Sequence, residues 1–287
     1  MEELFSALKE EQSSSDQSRE NLPTPNLVFQ EIIHLIGDPY SSIYEIVSLI
    51  SEDPALSFKA LRSANHSDTR QERSLISVKQ ALSILSRTEI KTLVLSTYVT
   101  PLEQEYQEVL FRHSLACACA SRMIGRYLYP HKPLKLDNLF TLGLLHDLGK
   151  LVIFSSHNQE ICADSSVQTQ RKIEKDPGCS GLEHTGTGAE FIARSHLPGE
   201  LYQVTRFHHL PKKALSHKES VMIVHLADYF ANLLHQTPEH DTPGAADEDC
   251  WTILGLEKRK ISDYLSQLKD EFQKSEVFLR LSKTKLS

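Results

Sequence analysis

An imidazole and a carboxylate stand side by side in an apolar stretch of the chain, at His146 and Asp147. Apolar residues flank the pair on both sides, so the sequence predicts a buried or half-buried pair that interrupts an otherwise apolar helix. A buried charge requires a partner, because taking it out of water without one is costly. A metal ion would satisfy both side chains at once, provided that the chain supplies further ligands.

The other candidate ligands lie in the second half of the chain, each near the end of a predicted helix or on a helix with an apolar face. Two carboxylates and several imidazoles suit a divalent Fe, Mn, Ni, Zn or Co ion better than calcium, which prefers oxygen ligands alone. The set is large enough for one or two ions with positions left open to water. Its members are His113, His146, Asp147, His184, His208, His209 and Asp228.

A site of this composition predicts phosphate chemistry. Bound metal ions activate water and hold both the attacking oxygen and a phosphoryl oxygen. Asp147 and Lys150 are the candidate catalytic residues, because Asp147 would hold the metal and Lys150 would contact a phosphate oxygen as a point charge. A metal-free alternative stays open, since a single histidine on a helix is commonly a hydrogen-bonded or surface residue. The chain would then be a helical scaffold.

The sequence predicts an all-α fold. Apolar residues recur with helical spacing, and no pair of strands joined by a hairpin turn is visible. The pattern of residues 22–100 predicts an N-terminal lobe of short amphipathic helices. This segment contains no cluster of histidines, cysteines or carboxylates, so we expect the lobe to provide a packing and recognition surface. Residues 101–236 predict the longer helices that carry the candidate ligands. Asp137 is predicted to cap the helix that contains the candidate pair, as Asp53 caps the helix beginning at Pro54.

The two ends of the chain differ from this helical body. Residues 1–21 are polar and rich in serine, and they are predicted to be a mobile tail. Residues 237–287 begin with a polar loop and continue into an amphipathic helical extension.

Charge and hydropathy exclude several classes of protein. The formal net charge of −7, from 31 basic and 38 acidic residues, argues against a nucleic-acid backbone as the main partner. No apolar run approaches the roughly 20 residues that cross a bilayer, so no membrane association is predicted. The N-terminus lacks the basic and apolar segments of a signal peptide, which predicts a cytoplasmic protein.

The order of the short motifs resembles the HD superfamily, which is named for its adjacent histidine and aspartate. The resemblance is closest to the HDOD branch, the HD-related output domains of bacterial signalling proteins. It covers about residues 22–236, and although each motif is short, their joint order is specific. The motifs include Leu22-Pro23-Thr24-Pro25, Asp53-Pro54-Ala55-Leu56, Arg112-His113-Ser114, His146-Asp147-Leu148-Gly149-Lys150, Glu183-His184 and His208-His209.

This resemblance implies a multi-helix HDOD fold, in which an N-terminal helical lobe packs on an HD-type lobe that carries the metal site. It also assigns roles. Lys150 matches the phosphate-contacting lysine of the cyclic-dinucleotide phosphodiesterase branch. His184, His208 and His209 match positions that some branches add for a second metal. The basic metal site of the superfamily is matched by His113, His146, Asp147 and Asp228.

Two departures from the superfamily patterns limit the activity that the resemblance implies. The phosphodiesterase branch continues after its His-His pair with a Gly-Tyr-Pro loop, whereas this chain has Leu210-Pro211-Lys212-Lys213-Ala214, so hydrolysis of cyclic di-GMP is not expected. Val109 stands four residues before His113, where three-metal members have a glutamate ligand, so a third ion is not expected either.

The resemblance therefore implies a bacterial signal-transduction protein with an HD-type metal site, a protein partner in a signalling pathway, and a nucleotide or phosphate ester as a candidate ligand. Two alternatives stay open. One is a metal-dependent phosphohydrolase, either a phosphodiesterase or a nucleotidase, and the other is the metal-free helical scaffold.

Overall fold

The computed structural model describes residues 22–38, 40–67, 75–97, 104–130, 134–163, 183–235 and 246–275. The regular elements in these ranges are helical, which confirms the all-α prediction. The predicted tail at 1–21 and the polar loop that begins at 237 lie outside them. The helices are α1 (Asn26–Gly37), α2 (Ile43–Glu52), α3 (Pro54–Ser67), α4 (Val78–Ile84), α5 (Arg87–Leu95), α6 (Gln104–Leu128), α7 (Leu136–Leu145), α8 (Leu148–Ala163), α9 (Glu183–Arg194), α10 (Gly199–Phe207), α11 (Lys218–Leu234), α12 (Glu248–Leu254) and α13 (Ile261–Gln273), with short 3-10 turns at Pro211–Lys213 and Lys258–Lys260.

Helices α1 to α5 form the first lobe, and several of their N-termini carry side-chain caps. Asp53 precedes α3, and its Oδ1 accepts a hydrogen bond from the Leu56 backbone N–H at 2.8 Å, as predicted. Ser86 and Glu89 form a capping box at the start of α5. These caps satisfy backbone donors that the first turn of a helix otherwise leaves without partners.

The second lobe is built around α6, which packs along α7 and α11. Two glycines allow the ligand-bearing helices to approach closely. A Cβ on Gly143 would lie 2.7 Å from the Cys117 carbonyl oxygen of α6, and a Cβ on Gly149 would lie 1.9 Å from the His184 carbonyl oxygen of α9. Both spacings are too short for any side chain, so the approach of α7 to α6 and of α8 to α9 requires glycine at these positions.

The candidate pair does not lie within one continuous helix. Helix α7 ends at Leu145 and α8 begins at Leu148, so His146 and Asp147 occupy the turn between them. The turn is closed by a backbone hydrogen bond, in which the Lys150 N–H donates to the Asp147 carbonyl oxygen at 2.9 Å. Apolar periodicity continues across this turn, and for that reason the sequence predicted an uninterrupted helix.

The predicted cap at Asp137 is wrong. The N-cap of α7 is Lys135, which makes no side-chain capping bond, and Asp137 lies in the first turn of the helix. The Asp137 carboxylate instead lies 3.6 Å from the Lys79 ammonium of the first lobe. An acidic side chain in the first turn still interacts favourably with the helix dipole, which explains why the residue suits this position without capping it.

The two lobes contact each other through α9, which carries His184, and through α7, which leads into the turn that holds His146 and Asp147. Phe58 of α3 stacks on Phe191 of α9, with ring centroids 4.8 Å apart and an interplanar angle of 28°. The buried Val78 N–H donates to Thr141 Oγ1 of α7 at 3.2 Å. The first lobe is therefore packed directly on α7 and α9.

We expect Thr141→Val to weaken this contact between the lobes. Valine keeps the shape of threonine but leaves the buried Val78 N–H without its acceptor, which costs about 1–3 kcal/mol. The free energy of unfolding in urea measures the loss. Thr92→Val is the matched control, because the Thr92 hydroxyl is exposed and bonds only within its own helix. Equal stability of the two variants would contradict the assigned role of Thr141.

The C-terminal extension packs on the second lobe. Helix α13 buries Tyr264, Leu268 and Phe272, and Trp251 of α12 packs edge-on against Phe230 of α11 with centroids 5.6 Å apart. The apolar face of the extension is thus used against the body of the protein. Among the described helices, none combines the length and the apolar character that crossing a bilayer requires.

Candidate metal centre

The seven predicted ligand residues converge on one place in the second lobe, although they come from distant parts of the chain. Their donor atoms form two groups, and within each group all donors lie within 4.8 Å of one another. The first group is His113 of α6, His146 of the α7–α8 turn and Asp228 of α11. The second group is Asp147 of the same turn, His184 of α9, and His208 and His209, which follow α10.

The first group is compact. His113 Nε2 lies 3.1 Å from Asp228 Oδ1 and 3.3 Å from His146 Nε2. His146 Nε2 lies 3.7 Å from Asp228 Oδ1. Two imidazole nitrogens and one carboxylate oxygen therefore face one another across a space with the dimensions of a metal site.

In the second group, two histidines face one oxygen of Asp147. His184 Nε2 lies 3.1 Å and His208 Nε2 lies 3.5 Å from Asp147 Oδ1. The ring of His209 lies beside them, with its centroid 4.1 Å from that of His208 and 5.2 Å from that of His184.

Asp147 stands between the two groups. Its Oδ1 faces the second group, while its Oδ2 lies 3.3 Å from His146 Nε2 and 3.4 Å from His113 Nε2 of the first. Asp228 also approaches both groups, because its Oδ2 lies 3.7 Å from His209 Nδ1. This geometry would allow each carboxylate to contribute to two neighbouring ions.

Backbone carbonyls fix the orientation of two candidate ligand rings. His146 Nδ1 lies 2.8 Å from the Gly143 carbonyl oxygen, and His208 Nδ1 lies 3.1 Å from that of Thr205. A carbonyl oxygen only accepts, so each Nδ1 carries the proton and each Nε2 presents its lone pair to the centre when the ring is neutral. A hydrogen bond of this kind orients a metal-binding histidine and fixes its tautomer.

The described residues leave polar atoms at the centre unsatisfied. Asp147 Oδ1 and His208 Nε2 are buried and make no hydrogen bond within the part of the chain that the structure describes. Buried polar atoms without partners are rare and costly, and a bound cation would satisfy both. Imidazole nitrogens combined with carboxylate oxygens fit Fe, Mn, Ni, Zn or Co, so the residues present fit the metal that the sequence predicts.

The charge states of the two carboxylates suit a cation site. Burial alone would raise the pKa of Asp147, but His146 and Lys150 hold it well below its ordinary value. Burial likewise acts to raise the pKa of Asp228, but hydrogen bonds from His113 and His146 hold it well below the usual range. Both carboxylates are therefore ionised at neutral pH.

The histidines differ from one another in charge. Burial lowers the pKa of His208, and burial together with the neighbouring His208 lowers the pKa of His209 to about 3, so both rings are neutral. His146 is the exception, because Asp147 raises its pKa well above the ordinary value despite burial. A metal ion would therefore displace a proton from His146, since only the neutral ring binds metal.

The predicted catalytic lysine lies at the edge of the centre. Lys150 Nζ is 2.5 Å from Asp147 Oδ2, and about a quarter of its side chain is exposed, 28%. The ammonium therefore helps to hold the charge of Asp147. Any contact with a phosphate would be made from the same position.

His225 is a residue for which the sequence predicted no role. It lies on α11 three residues before Asp228, and its Nδ1 is 2.7 Å from the His208 carbonyl oxygen. Residues three apart share a helix face, so the spacing of His225 and Asp228 was the available signal. The spacing could not indicate that His225 would bond to the backbone carbonyl of His208, which is a candidate ligand.

The HDOD domain family model matches residues 22–211 of this chain. This range contains six of the seven candidate ligands, and Asp228 lies beyond it. An uncharacterized protein of Treponema pallidum (strain Nichols) is similar to this chain, with 24% identity over 229 residues that cover 74% of this chain and 42% of that protein. The chain thus spans less than half the length of this curated relative.

Solved structures share the fold. The MmoQ response regulator from Methylococcus capsulatus str. Bath superimposes with a TM-score of 0.60 at 18% identity, covering 86% of this chain and 98% of that one. A virulence factor from Campylobacter jejuni subsp. jejuni gives a TM-score of 0.56 at 16% identity, covering 90% of this chain and 97% of that one. At these identities the likeness shows the fold.

Proposed function

This chain belongs to the HDOD family, and from that premise we propose that it is a regulatory protein of bacterial signal transduction whose metal centre controls how its first lobe meets a protein partner. The observation that carries the proposal is the convergence of seven candidate ligand residues in a lobe whose helices α7, α8 and α9 contact the first lobe. The response-regulator description of MmoQ, a protein of the same fold, supports the signalling role.

The contacts between the lobes give a physical route for this control. Phe191, which stacks on Phe58 of the first lobe, follows His184 on the same helix. Thr141, whose hydroxyl accepts a hydrogen bond from the Val78 N–H, lies on α7, which leads into the turn that holds His146. A shift of either helix when ligands close on an ion would therefore reach the first lobe through one rigid element, and small shifts of packed helices are a common form of regulatory switching.

The first lobe has features that suit a protein partner. Tyr40 and Tyr44, at the turn before α2 and at its start, are 94% and 81% exposed. Tyrosine is enriched in protein–protein interfaces, because it offers a large apolar ring and a polar end. The net charge of −7 makes a nucleic-acid partner a poor alternative.

When bound, the metal would supply a fixed positive charge and Lewis acidity. The chain's own residues would do the rest. The first group and the second group would hold the ion or ions, and the carbonyls of Gly143 and Thr205 would keep the His146 and His208 rings in place. Lys150 would hold the charge of Asp147 and offer its ammonium to an anionic ligand.

We expect Mn²⁺ or Fe²⁺ to stabilise the protein when it is purified without a histidine tag and treated with a chelator. An ion that binds only the folded state at 100 times its Kd adds about 2.7 kcal/mol, which a thermal unfolding curve measures. Hydrogen exchange should slow in α7 and α9 and also in α3 of the first lobe. Calcium is the control ion and should have little effect, because it prefers oxygen ligands. Absence of any bound Mn²⁺ or Fe²⁺ would refute the proposal.

A second candidate function is a metal-dependent phosphohydrolase acting on a nucleotide or another phosphate ester. The position of Lys150 beside Asp147, at the partly exposed edge of the centre, favours it. A panel of phosphodiester and nucleotide substrates tests it, with Asp147→Ala as the variant. Turnover that survives this substitution would exclude the mechanism, and a protein that binds metal without turnover would favour the regulatory role.

A further inference from the structure

His225 uses both of its ring nitrogens to join two distant segments. Its Nε2 accepts a hydrogen bond from the Asp247 backbone N–H at 2.9 Å. The proton of the neutral ring is therefore on Nδ1, which donates to the His208 carbonyl oxygen at 2.7 Å. One side chain thus connects the C-terminal extension with the turn that carries His208 and His209.

The bond to His208 involves a backbone carbonyl in the peptide that joins two candidate ligands. Helix α10 ends at Phe207, so the carbonyl of His208 falls among the terminal groups for which a helix supplies no partner. His225 supplies that partner from α11. The bonded carbonyl belongs to the peptide between His208 and His209, two ligands of the second group, and its position sets the direction in which both rings leave the backbone.

The extension is attached at the other end of this connection. Asp247 caps α12, with its Oδ1 accepting from the Asp249 N–H at 2.9 Å. Lys212, three residues after His209, lies 3.2 Å from Asp247 Oδ2 and 2.8 Å from Asp249 Oδ2. Asp247 and Asp249 therefore connect the extension to the His208–His209 turn on two sides, through the half-buried His225 and through an exposed ion pair.

We propose that His225 is a positioning residue for the second ligand group, and that through it the C-terminal extension sets the metal affinity of that group. This inference rests on the proposed metal function and goes beyond it, because Asp247 and the rest of the extension lie outside the range that the family model matches. Among the described residues, the ring of His225 bonds to the backbone of His208 and of Asp247 and to no residue of the first group. The two groups should therefore respond differently when His225 is changed.

Two substitutions separate the two bonds of His225. The amide nitrogen of asparagine occupies nearly the place of Nδ1, so His225→Asn keeps the bond to His208 and loses the one to Asp247. The amide oxygen of glutamine occupies nearly the place of Nε2, so His225→Gln keeps the bond to Asp247 and loses the one to His208. Because the positioning argument depends on His208, the glutamine variant should be the more damaging.

Calorimetric titration of Mn²⁺ into chelator-treated protein tests the inference. His209→Ala identifies the ion that the second group holds. We expect His225→Gln to lower the affinity for that ion by roughly 10–100-fold, which is the usual effect of losing a residue that orients a metal ligand. The ion lost in His113→Ala should keep its affinity, and His225→Asn should lie closer to the wild type. His34→Gln, on an exposed histidine of α1, controls for the removal of an imidazole.

The outcomes distinguish this inference from the function on which it rests. A wild-type protein that binds no ion overturns both. A wild-type protein that binds metal while His225→Gln binds it with unchanged affinity overturns the inference alone. The melting temperature of the metal-free variants provides the last check. If both substitutions unfold the protein, or if they lower the affinity for every ion equally, His225 is a structural residue and the inference is wrong.

Discussion

Asp147→Asn is expected to abolish metal binding by both ligand groups. Asparagine keeps the size of the side chain but removes its negative charge and replaces one oxygen with an amide nitrogen, which has no lone pair for a cation. Because Oδ1 faces His184 and His208 while Oδ2 faces His113 and His146, no other single substitution in the centre affects as many ligand contacts. Elemental analysis of protein purified without a tag should find less than about a tenth of the metal that the wild type carries. Loss of a direct ligand should lower metal affinity by more than the roughly 10–100-fold seen when a residue that only orients a ligand is changed.

The control for this substitution is Asp137→Asn, which removes a carboxylate that is about half exposed on the neighbouring helix and should leave the metal content unchanged. Asp228→Asn gives a graded comparison. Asp228 belongs to the first group and approaches the second only through His209, so its loss should affect the first group more strongly. Full metal occupancy in Asp147→Asn would show that the carboxylate is not shared between the groups.

The candidate ligand residues could be named from the sequence, because their types suit a metal site and the order of their motifs resembles that of the HD superfamily. All seven predicted ligand residues lie in the two groups that the structure brings together. Whether they hold an ion stays a prediction. The all-α fold was also predictable, because helical periodicity is a local property that each segment displays independently of its neighbours.

The resemblance predicted two sets of candidate ligands, and the structure differs from it only at Asp147. The resemblance assigned Asp147 to the basic site, whereas the structure groups it with His184, His208 and His209. This placement depends on the turn between α7 and α8, which puts the adjacent residues His146 and Asp147 in different groups. Apolar residues continue through this turn because both helices are buried, and a pattern of buried residues does not reveal where one helix ends. The glycines at 143 and 149 mark the close approach of other helices, which only the tertiary structure shows.

The role of His225 was unpredictable for a related reason. Its partners are backbone groups of His208 and Asp247, and a backbone carbonyl or N–H leaves no trace in the residue types of a sequence. Asp53 shows the opposite case. Its role as a cap was predicted from the residue that follows it, Pro54, but its complete burial between the lobes was not, because capping residues are usually near the surface.

Asp53 has an unusual environment for a carboxylate. The side chain is fully buried, and it lines a cavity with Pro23 and Pro25 on one side and Phe111 of α6 on another. Its Oδ1 accepts from the Leu56 N–H, and the Thr24 hydroxyl lies 3.4 Å away, whereas Oδ2 is buried and makes no hydrogen bond to a described residue. Burial raises the pKa of Asp53 to about 7, in spite of these hydrogen bonds and of the charge of Lys59.

This pKa makes the stability of the protein depend on pH. The unfolded chain has an ordinary aspartate pKa of about 3.9, so between about pH 4 and pH 7 the folded protein binds the extra proton. The free energy of unfolding therefore falls as the pH rises from about 4 to about 7. Above pH 7 the ionisation of Asp53 changes it little further. The direction is opposite to that of a carboxylate such as Asp147, whose lowered pKa adds stability that is lost only when the pH falls into the acid range.

Asp53→Asn is expected to remove this dependence. Asparagine caps a helix as well as aspartate does, and its amide stays uncharged at every pH. At pH 8 the variant should be more stable than the wild type by as much as about 4 kcal/mol, the equivalent of a shift of roughly three pKa units. At pH 4, where the wild-type carboxyl is protonated in the folded state, the two proteins should differ little. Urea unfolding of chelator-treated protein at several pH values measures the difference.

Asp263→Asn is the matched control, because Asp263 is an exposed residue in the first turn of α13 and should leave the pH dependence unchanged. Parallel curves for the wild type and Asp53→Asn would contradict the conclusion that burial of the Asp53 carboxylate outweighs its hydrogen bonds and the charge of Lys59. Because Asp53 shares its cavity with Phe111, two residues from His113, the charged form would be unfavourable at the contact between the first lobe and α6. The same substitution should therefore also slow hydrogen exchange at that contact above pH 7, since neutral asparagine leaves no buried charge there to weaken it.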